Sequence, residues 1–518
     1  MKSKTITLFF LFCAFNLYSQ TTYIPDDSFE QALIDLGYDA GQLDDQIETE
    51  NIINLTSLDL HEKNITNLTG IQDFTSLEVL DISDNQITSL DLSANGALKS
   101  LDCSKNGIIT LEIAENTALI ELKCSDNAIV ELDLNTNTEL MVLECSNNMI
   151  ENLSIAHISG MEVVIAANNQ IGAIDVTQNQ ELKTLDVSKN LISELILVAN
   201  PELEVLYASS NMLTELDLNG NPALQDLIVS ENDLTTLEAP QSIALGRLDV
   251  SLNHITTIDV SANTMLKRLH LSSNEIQEID VTANTGLRYL GVNDNHIYYV
   301  DLSENVDLDI LEVQENQITY IDLTKNTALM YVDASSNDYT SIDLTKNLSL
   351  RDLNISHTKI TALDITPNAM LRNLAAMDIP DLNCIQVIHV NEAYANESWV
   401  IDNNMSYSVN CTNLSNSIFE VPEEGTIASI DLNENASRLD ETIKFYPNPV
   451  SSVINIESES PVIRVIIYST LGRKIHDIKS GFNAIHTDEL PEGVYIIRIE
   501  AETGSITKKM IKTSVHLD

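Results

Sequence analysis

Cys103, Cys124 and Cys145 recur at an interval of 21 residues, and that interval decides what chemistry they can do. Thiolate metal sites use CxxC-type spacing, which is absent, and neighbouring parallel strands hold sulfurs awkwardly for a disulfide. Three cysteines at one position of a repeat are therefore expected as small core hydrophobes. An acidic position recurs at the same interval through Asp91, Asp133, Asp175, Asp217, Asp259 and Asp280, and an asparagine follows four residues on in Asn95, Asn137, Asn263 and Asn284. Asp-x-Ser/Thr-x-Asn is loosely like the opening of a calcium loop. The apolar residue after each Asp and the missing bidentate Glu argue against one. The same residue types hydrogen-bond their own turn backbone, so turn chemistry and no cofactor is the expectation, with calcium as the alternative.

The search for a reaction finds no H-E-x-x-H, G-x-S-x-G, P-loop or G-x-G-x-x-G. With 78 acidic residues in the chain, two neighbouring carboxylates carry no information, so a glycosidase pair has no support. The chain is expected not to be an enzyme. Its 27 basic residues leave a net charge of −51, which repels phosphate backbones and excludes nucleic acid as a natural partner.

The elements that position these residues follow from the repeat. Leu77, Leu98, Leu119 and Leu140 begin units that continue in 21-residue steps to Leu371 without an insertion, after a 22-residue unit from Leu55. Within a unit, Leu77, Leu80 and Ile82 alternate with exposed residues, as a short strand buried on one face should. Asn85, Asn106, Asn127 and their successors to Asn337 form a column whose amides both donate and accept, suited to satisfying buried turn backbone; Thr358 ends it. The return half, with Ile87, Leu90 and Leu92, is too short for a full helix and shows no 3.6-residue period, so a turn-rich back face is expected.

The pattern L-x-x-L-x-L-x-x-N at a fixed period resembles the leucine-rich repeats. The resemblance implies a mainly β solenoid of about 16 repeats of 21–22 residues with a parallel concave sheet. The stretch around Phe29, Ala32, Leu33 and Leu36, with Asp26, Asp27 or Ser28 as N-cap and Gly37 as stop, looks like the N-terminal cap helix of secreted leucine-rich proteins. The segment from Asp381 to Cys411 resembles their C-terminal cap, which implies a Cys384–Cys411 disulfide.

In this register the third, fifth and seventh residues of each unit face out of the concave sheet. The seventh is mostly Ser, as in Ser83 and Ser104, and is expected to form a flat polar border. The third and fifth positions gather Arg247, Arg268, His270 and Tyr289 in neighbouring units, flanked by Tyr207 and Tyr331. Arg and Tyr dominate interface hot spots, so these six are the candidate ligand-binding residues, for a protein, peptide or glycan. An inert surface on which Asp226 and Asp249 neutralise the arginine pair is the alternative, as is a structural surface-layer protein with no specific ligand.

The two ends give the address. Lys2, Lys4 and the apolar run Ile6–Phe15, with Ser19 before Gln20, form a secretory signal peptide too short to span a membrane after maturation. Cys13 is not a lipidation site by pattern, because Phe12 stands where a small residue is needed. From Ile443 to Asp518 there are nine Lys and Arg against nine Asp and Glu, so the negative charge lies upstream. Alternating apolar runs there predict a small β-sandwich. "FYPNPV" (Phe445 to Val450), "LGR" (Leu471 to Arg473), "LPEGVYIIRI" (Leu490 to Ile499), Gly504 and "KKMIK" (Lys508 to Lys512) resemble the type A sorting domain of the bacterial type IX secretion system. That implies export to the outer cell surface or beyond, with residues 443–518 engaging the secretion machinery. The expected organisation is signal peptide 1–19, N-terminal cap 20–54, repeats 55–380, C-terminal cap 381–412, linker 413–442 and sorting domain 443–518, with no transmembrane segment in the mature protein.

Overall fold

The computed structural model describes residues 20–238 and 242–411, and most of the strand residues between 443 and 512. The expected signal peptide (1–19) and linker (413–442) lie outside the described residues. The chain divides into two units, 1–409 and 410–518.

In the first unit each repeat contributes one three-residue strand, such as Val79–Asp81 or Ser100–Asp102, whose middle leucine faces the core; Leu80 and Leu101 are 1% and 0% exposed. Because the side-chain period of a strand is two, this leaves the third and fifth positions outward. Seventeen such strands pair in parallel and in register, from Ser57–Asp59 to Trp399–Ile401. The two end strands each have a single neighbour, so the sheet is an open row and not a closed barrel. At a strand spacing of ~4.8 Å it runs about 75 Å along its arc. The last strand belongs to the C-terminal cap, which is how some sixteen repeats yield seventeen strands. Between Phe74 and Val390 the back of each turn holds no helix among the described residues, only turns and isolated bridges such as Asp91 with Glu112, until Leu363–Asp364 pairs in parallel with Cys384–Gln386, and that strand with Ser406–Ser408, in a short second sheet.

Two asparagine ladders carry the backbone. In the first, Asn253 Nδ2 donates to the carbonyls of Val229, Val250 and Ser251 at 3.1, 3.0 and 3.1 Å, while its Oδ1 accepts from Leu234 N at 3.0 Å. One side chain thus ties two adjacent turns together, and Thr358, where the ladder ends, keeps only a bond to the Ile355 carbonyl. The second asparagine position, read from sequence as turn chemistry, is a buried ladder as well. Asn116 is fully buried and donates to the carbonyls of Leu92 and Asn95 at 3.0 and 2.9 Å. The acidic position between the ladders does cap its own turn. Asp91 Oδ1 accepts from Ser93 N and Oγ at 3.0 and 2.7 Å, and these hydrogen bonds hold its carboxyl below the usual range.

Each turn also places its eighth residue in the left-handed region, with φ of 55° at Asp84, 53° at Lys105 and 54° at Leu252. A Cβ in that region costs roughly 1–2 kcal/mol, less for Asn, whose side chain bonds locally. Leu252 is 50% exposed and carries the cost without a packing return. Leu252→Asn is expected to raise stability by about 1 kcal/mol in denaturant unfolding.

Caps close both ends. Helix Asp27–Asp35 buries Phe29, Ala32 and Leu33, with Leu36, at 44% exposure, turned outward instead of joining that face. Asp26 is the N-cap, accepting from Ser28 N and Phe29 N, and its other oxygen accepts from Thr66 and Asn67, fastening the helix to the first repeat. Gly37, at φ 82°, stops the helix. At the far end Trp399 Nε1 donates to the Arg372 carbonyl at 3.1 Å, and Tyr407 packs between Tyr394 and Trp399. Cys384 and Cys411 are disulfide-bonded, which stabilises the cap by about 3.5 kcal/mol in the chain-entropy account.

The second unit forms two antiparallel sheets. One joins Ile443–Tyr446, Val453–Ser458 and Ile485–His486; the other joins Lys474–Ile478, Val462–Ser469, Gly493–Ala501 and Gly504–Lys512. Val450, Ile454, Val465, Ile467, Ile497 and Met510 share one buried core, as the expected sandwich requires. Leu471–Arg473 and part of the "FYPNPV" stretch lie outside the described residues.

Candidate recognition surface

The strands Arg247–Asp249, Arg268–His270, Tyr289–Gly291 and Ile310–Glu312 are consecutive and in register. Arg247 therefore sits beside Arg268, Arg268 beside Tyr289, and His270 beside Gly291. The gathering inferred from the sequence is a real adjacency for Arg268, His270 and Tyr289. The Arg268 guanidinium lies 5.3 Å from the Tyr289 ring centroid, and the His270 ring meets Tyr289 edge-on at 5.7 Å. Among the described residues Arg268 forms no ion pair. Tyr207 and Arg247 meet through Asp226, whose carboxylate is 3.2 Å from the phenol oxygen and 4.0 Å from Arg247 Nε. Tyr331 stands apart from Tyr289, separated by the strand Ile310–Glu312, and is half-buried.

Two residues that the sequence did not flag hold the patch in shape. Gly291 has no room for a side chain: an added Cβ would lie 2.6 Å from the Tyr289 hydroxyl oxygen and 2.9 Å from His270 Cδ2. The missing side chain is what lets Tyr289 lie flat across the next sheet position. Glu312 then accepts the Tyr289 hydroxyl at 2.6 Å. Burial and this hydrogen bond push the Tyr289 phenol up, so it stays protonated and fixed. The isolated Gly in a strand pattern was the available signal.

The acidic neighbours act differently from a simple neutralising pair. Asp226 faces Arg247, but Asp249 takes His270, at 3.2 Å from Nδ1, and not Arg268. Burial raises the Asp249 carboxyl, yet hydrogen bonds from His270 and Ser251 outweigh it and hold it below the usual range. Ser251 Oγ donates to Asp249 at 2.7 Å. The carboxylate stands between hydroxyl and imidazole, so the trio lacks the serine–histidine bond of a nucleophilic relay. The expected flat serine border is a turn cap for the same reason: Ser83 and Ser104 donate to Asp81 and Asp102 at 2.6 Å. A metal-donor group found among the described residues, Asp59, His61 and Asp81, repeats this cap with His61 in the serine place.

The three repeat cysteines are fully buried and free, and burial pushes the Cys145 thiol up to about 12. They stack within the core as inert hydrophobes. A depression of about 620 Å³ on the back face, beside Gly172, Ala173 and Ile196, lies on turns remote from the Arg268 strand.

Comparison with known proteins agrees with this architecture. Residues 75–96, 209–231 and 262–279 match the family described as Leucine Rich repeat, and residues 444–513 match the Secretion system C-terminal sorting domain. The chain is a leucine-rich-repeat protein with a type IX sorting domain, directed to the cell surface or outside. Internalin J of Listeria monocytogenes is 40% identical over 73 residues, which span 14% of this chain and 8% of that protein. The solved functional domain of InlJ from Listeria monocytogenes, described as including a cysteine ladder, superposes with a TM-score of 0.62 at 25% identity, covering 96% of this chain and 99% of that one. A Leptospira interrogans LRR protein gives 0.59 at 22% identity over 68% of this chain and 97% of its own. The plant peptide hormone receptor RGFR1 in complex with RGF2 gives 0.54 at 20% identity over 66% of this chain and 65% of that chain.

Proposed function

We propose that the solenoid is a recognition and adhesion module that binds a protein, peptide or glycan through its concave face, centred on Arg268 and Tyr289. The observation that carries this reading is an exposed arginine with no acidic partner among the described residues, laid against a tyrosine that Gly291 and Glu312 hold rigid. Holding both groups in place beforehand lowers the ordering entropy of binding, and Arg and Tyr are the residues that repay it. The peptide complex of a receptor with this fold supports a polypeptide ligand most directly. The test is capture of partners on the mature chain and on an Arg268→Ala/Tyr289→Ala variant. A captured partner should bind the variant at least about 30-fold more weakly, as for a 2 kcal/mol hot spot. Equal affinity for both forms would favour a passive surface protein instead.

A further inference from the structure

The arginines of the solenoid are not spread over it. Between residues 20 and 411 they are Arg247, Arg268, Arg288, Arg351 and Arg372, all in the last eight turns of the sheet. Arg247 and Arg268 occupy the third position of a unit; the other three occupy the second, at the edge where the chain enters each strand. The second position is ordered by backbone bonds. Lys267 N donates to Gly246 O, Arg288 N to Lys267 O, Asp309 N to Arg288 O, Met330 N to Asp309 O, Arg351 N to Met330 O and Arg372 N to Arg351 O, at 2.7–2.9 Å. Their side chains therefore follow one another at the strand spacing, and Lys267 to Arg372 spans about 24 Å.

Upstream, this edge satisfies itself. Lys99 meets Glu78 at 2.8 Å and Lys183 meets Glu162 at 2.7 Å, each across one repeat. Of the downstream arginines, only Arg247 and Arg288 meet acids among the described residues, Asp226 and Asp309. Lys267, Arg268, Arg351 and Arg372 form no ion pair among the described residues, and Arg351 Nε is buried without an acceptor. In a chain of net charge −51, a row of unmatched cations is a surface with a missing counterpart. Arg in place of Lys favours carboxylates, which its planar fork takes bidentately. Met330, Ile310, Tyr289 and Tyr331 lie between the cations, and Arg, Met and aromatic residues are what protein interfaces enrich.

We infer that this edge docks an acidic polypeptide segment, lying extended across the strands for about seven residues. The inference rests on the recognition reading above and names its partner's chemistry. It is tested with the mature full-length chain and fluorescein-labelled twelve-residue peptides of alternating Glu and Tyr, or Lys and Tyr, beside a labelled heparin oligosaccharide. Anisotropy should show saturable binding of the Glu peptide alone, weakening as salt rises. Arg351→Gln/Arg372→Gln should weaken it at least tenfold, while Lys325→Gln/Lys346→Gln, on exposed turns elsewhere, should not. Arg372 and the two lysines are exposed and Arg351 is half-buried, so an unchanged thermal midpoint is required of each variant to verify that it is folded. Absence of saturable binding, equal loss in both variants, or preference for heparin would overturn the acidic-polypeptide partner. If the Arg268→Ala/Tyr289→Ala variant loses a captured partner while no acidic peptide binds, the concave-face reading stands and this one falls.

Discussion

A chain ending at Thr442 accumulates in the periplasm, and none reaches the cell surface or the medium. The tail carries the address, and it is a folded unit with its own core of Val450, Ile454, Val465, Ile467 and Met510. Its strands pair among themselves over long registers, Gly493–Ala501 with Gly504–Lys512 along their whole length. Its balanced charge sets it apart from the acidic chain before it, so a receptor can distinguish it from the cargo by surface alone. The solenoid has its own continuous core, so the retained protein should be folded and protease-resistant. Cell fractionation and surface proteolysis read the outcome. Unaltered export of the truncated chain would refute the assignment of residues 443–518.

Asn253→Ala is expected to be strongly destabilising, as an example of a change at one rung of the first ladder. Asn253 is 6% exposed and serves four backbone groups in two adjacent turns. Removing its side chain leaves the Leu234 N–H buried without a partner, which costs about 1–3 kcal/mol, and takes one of two donors from each of the Val229, Val250 and Ser251 carbonyls, at about 0.5–1.5 kcal/mol per lost bond. A loss of roughly 3–5 kcal/mol follows, read as a lower midpoint in urea unfolding. Asn152→Ala, on the exposed back face, should stay within about 0.5 kcal/mol. Comparable midpoints for the two variants would show that the ladder is dispensable. In an array whose turns touch only their neighbours, the loss should also divide unfolding into two stages around the broken rung.

The repeat register, the strand face and the first ladder were legible because each depends on a residue type doing the same job at one interval. Leu80 and Leu101 point inward for the reason that any alternating strand does. Asn85 announced a buried amide because a whole column of them has no other use. The second ladder was not legible. Asn95 and Asn116 sit in turns, where Asn is common for local reasons, and nothing in their spacing told burial from exposure. The capping bonds of Ser83 and Ser104 to Asp81 and Asp102 were not legible either, since they need the turn geometry to be seen.

The candidate surface was half legible. Arg268, His270 and Tyr289 stood out because the chain has few basic and aromatic residues. Gly291 and Glu312 became visible only when Tyr289 was seen to lean along the sheet, which spacing does not encode. The second-position cations escaped because that position precedes the strand and has no fixed face in the period-two pattern. Their order emerges from the bonds that link Gly246 to Arg372.

The unbroken interval has a consequence for how such a gene can vary. Every ladder rung and strand pair joins residues a whole unit, or a unit give or take a few positions, apart. Excision or duplication of 21 codons before Asp226 would rejoin equivalent partners and move the N-terminal cap by one strand. The patch from Arg247 to Tyr331 would keep all its neighbours. Length can therefore drift by unequal exchange while specificity is inherited intact, and the two properties are open to selection separately.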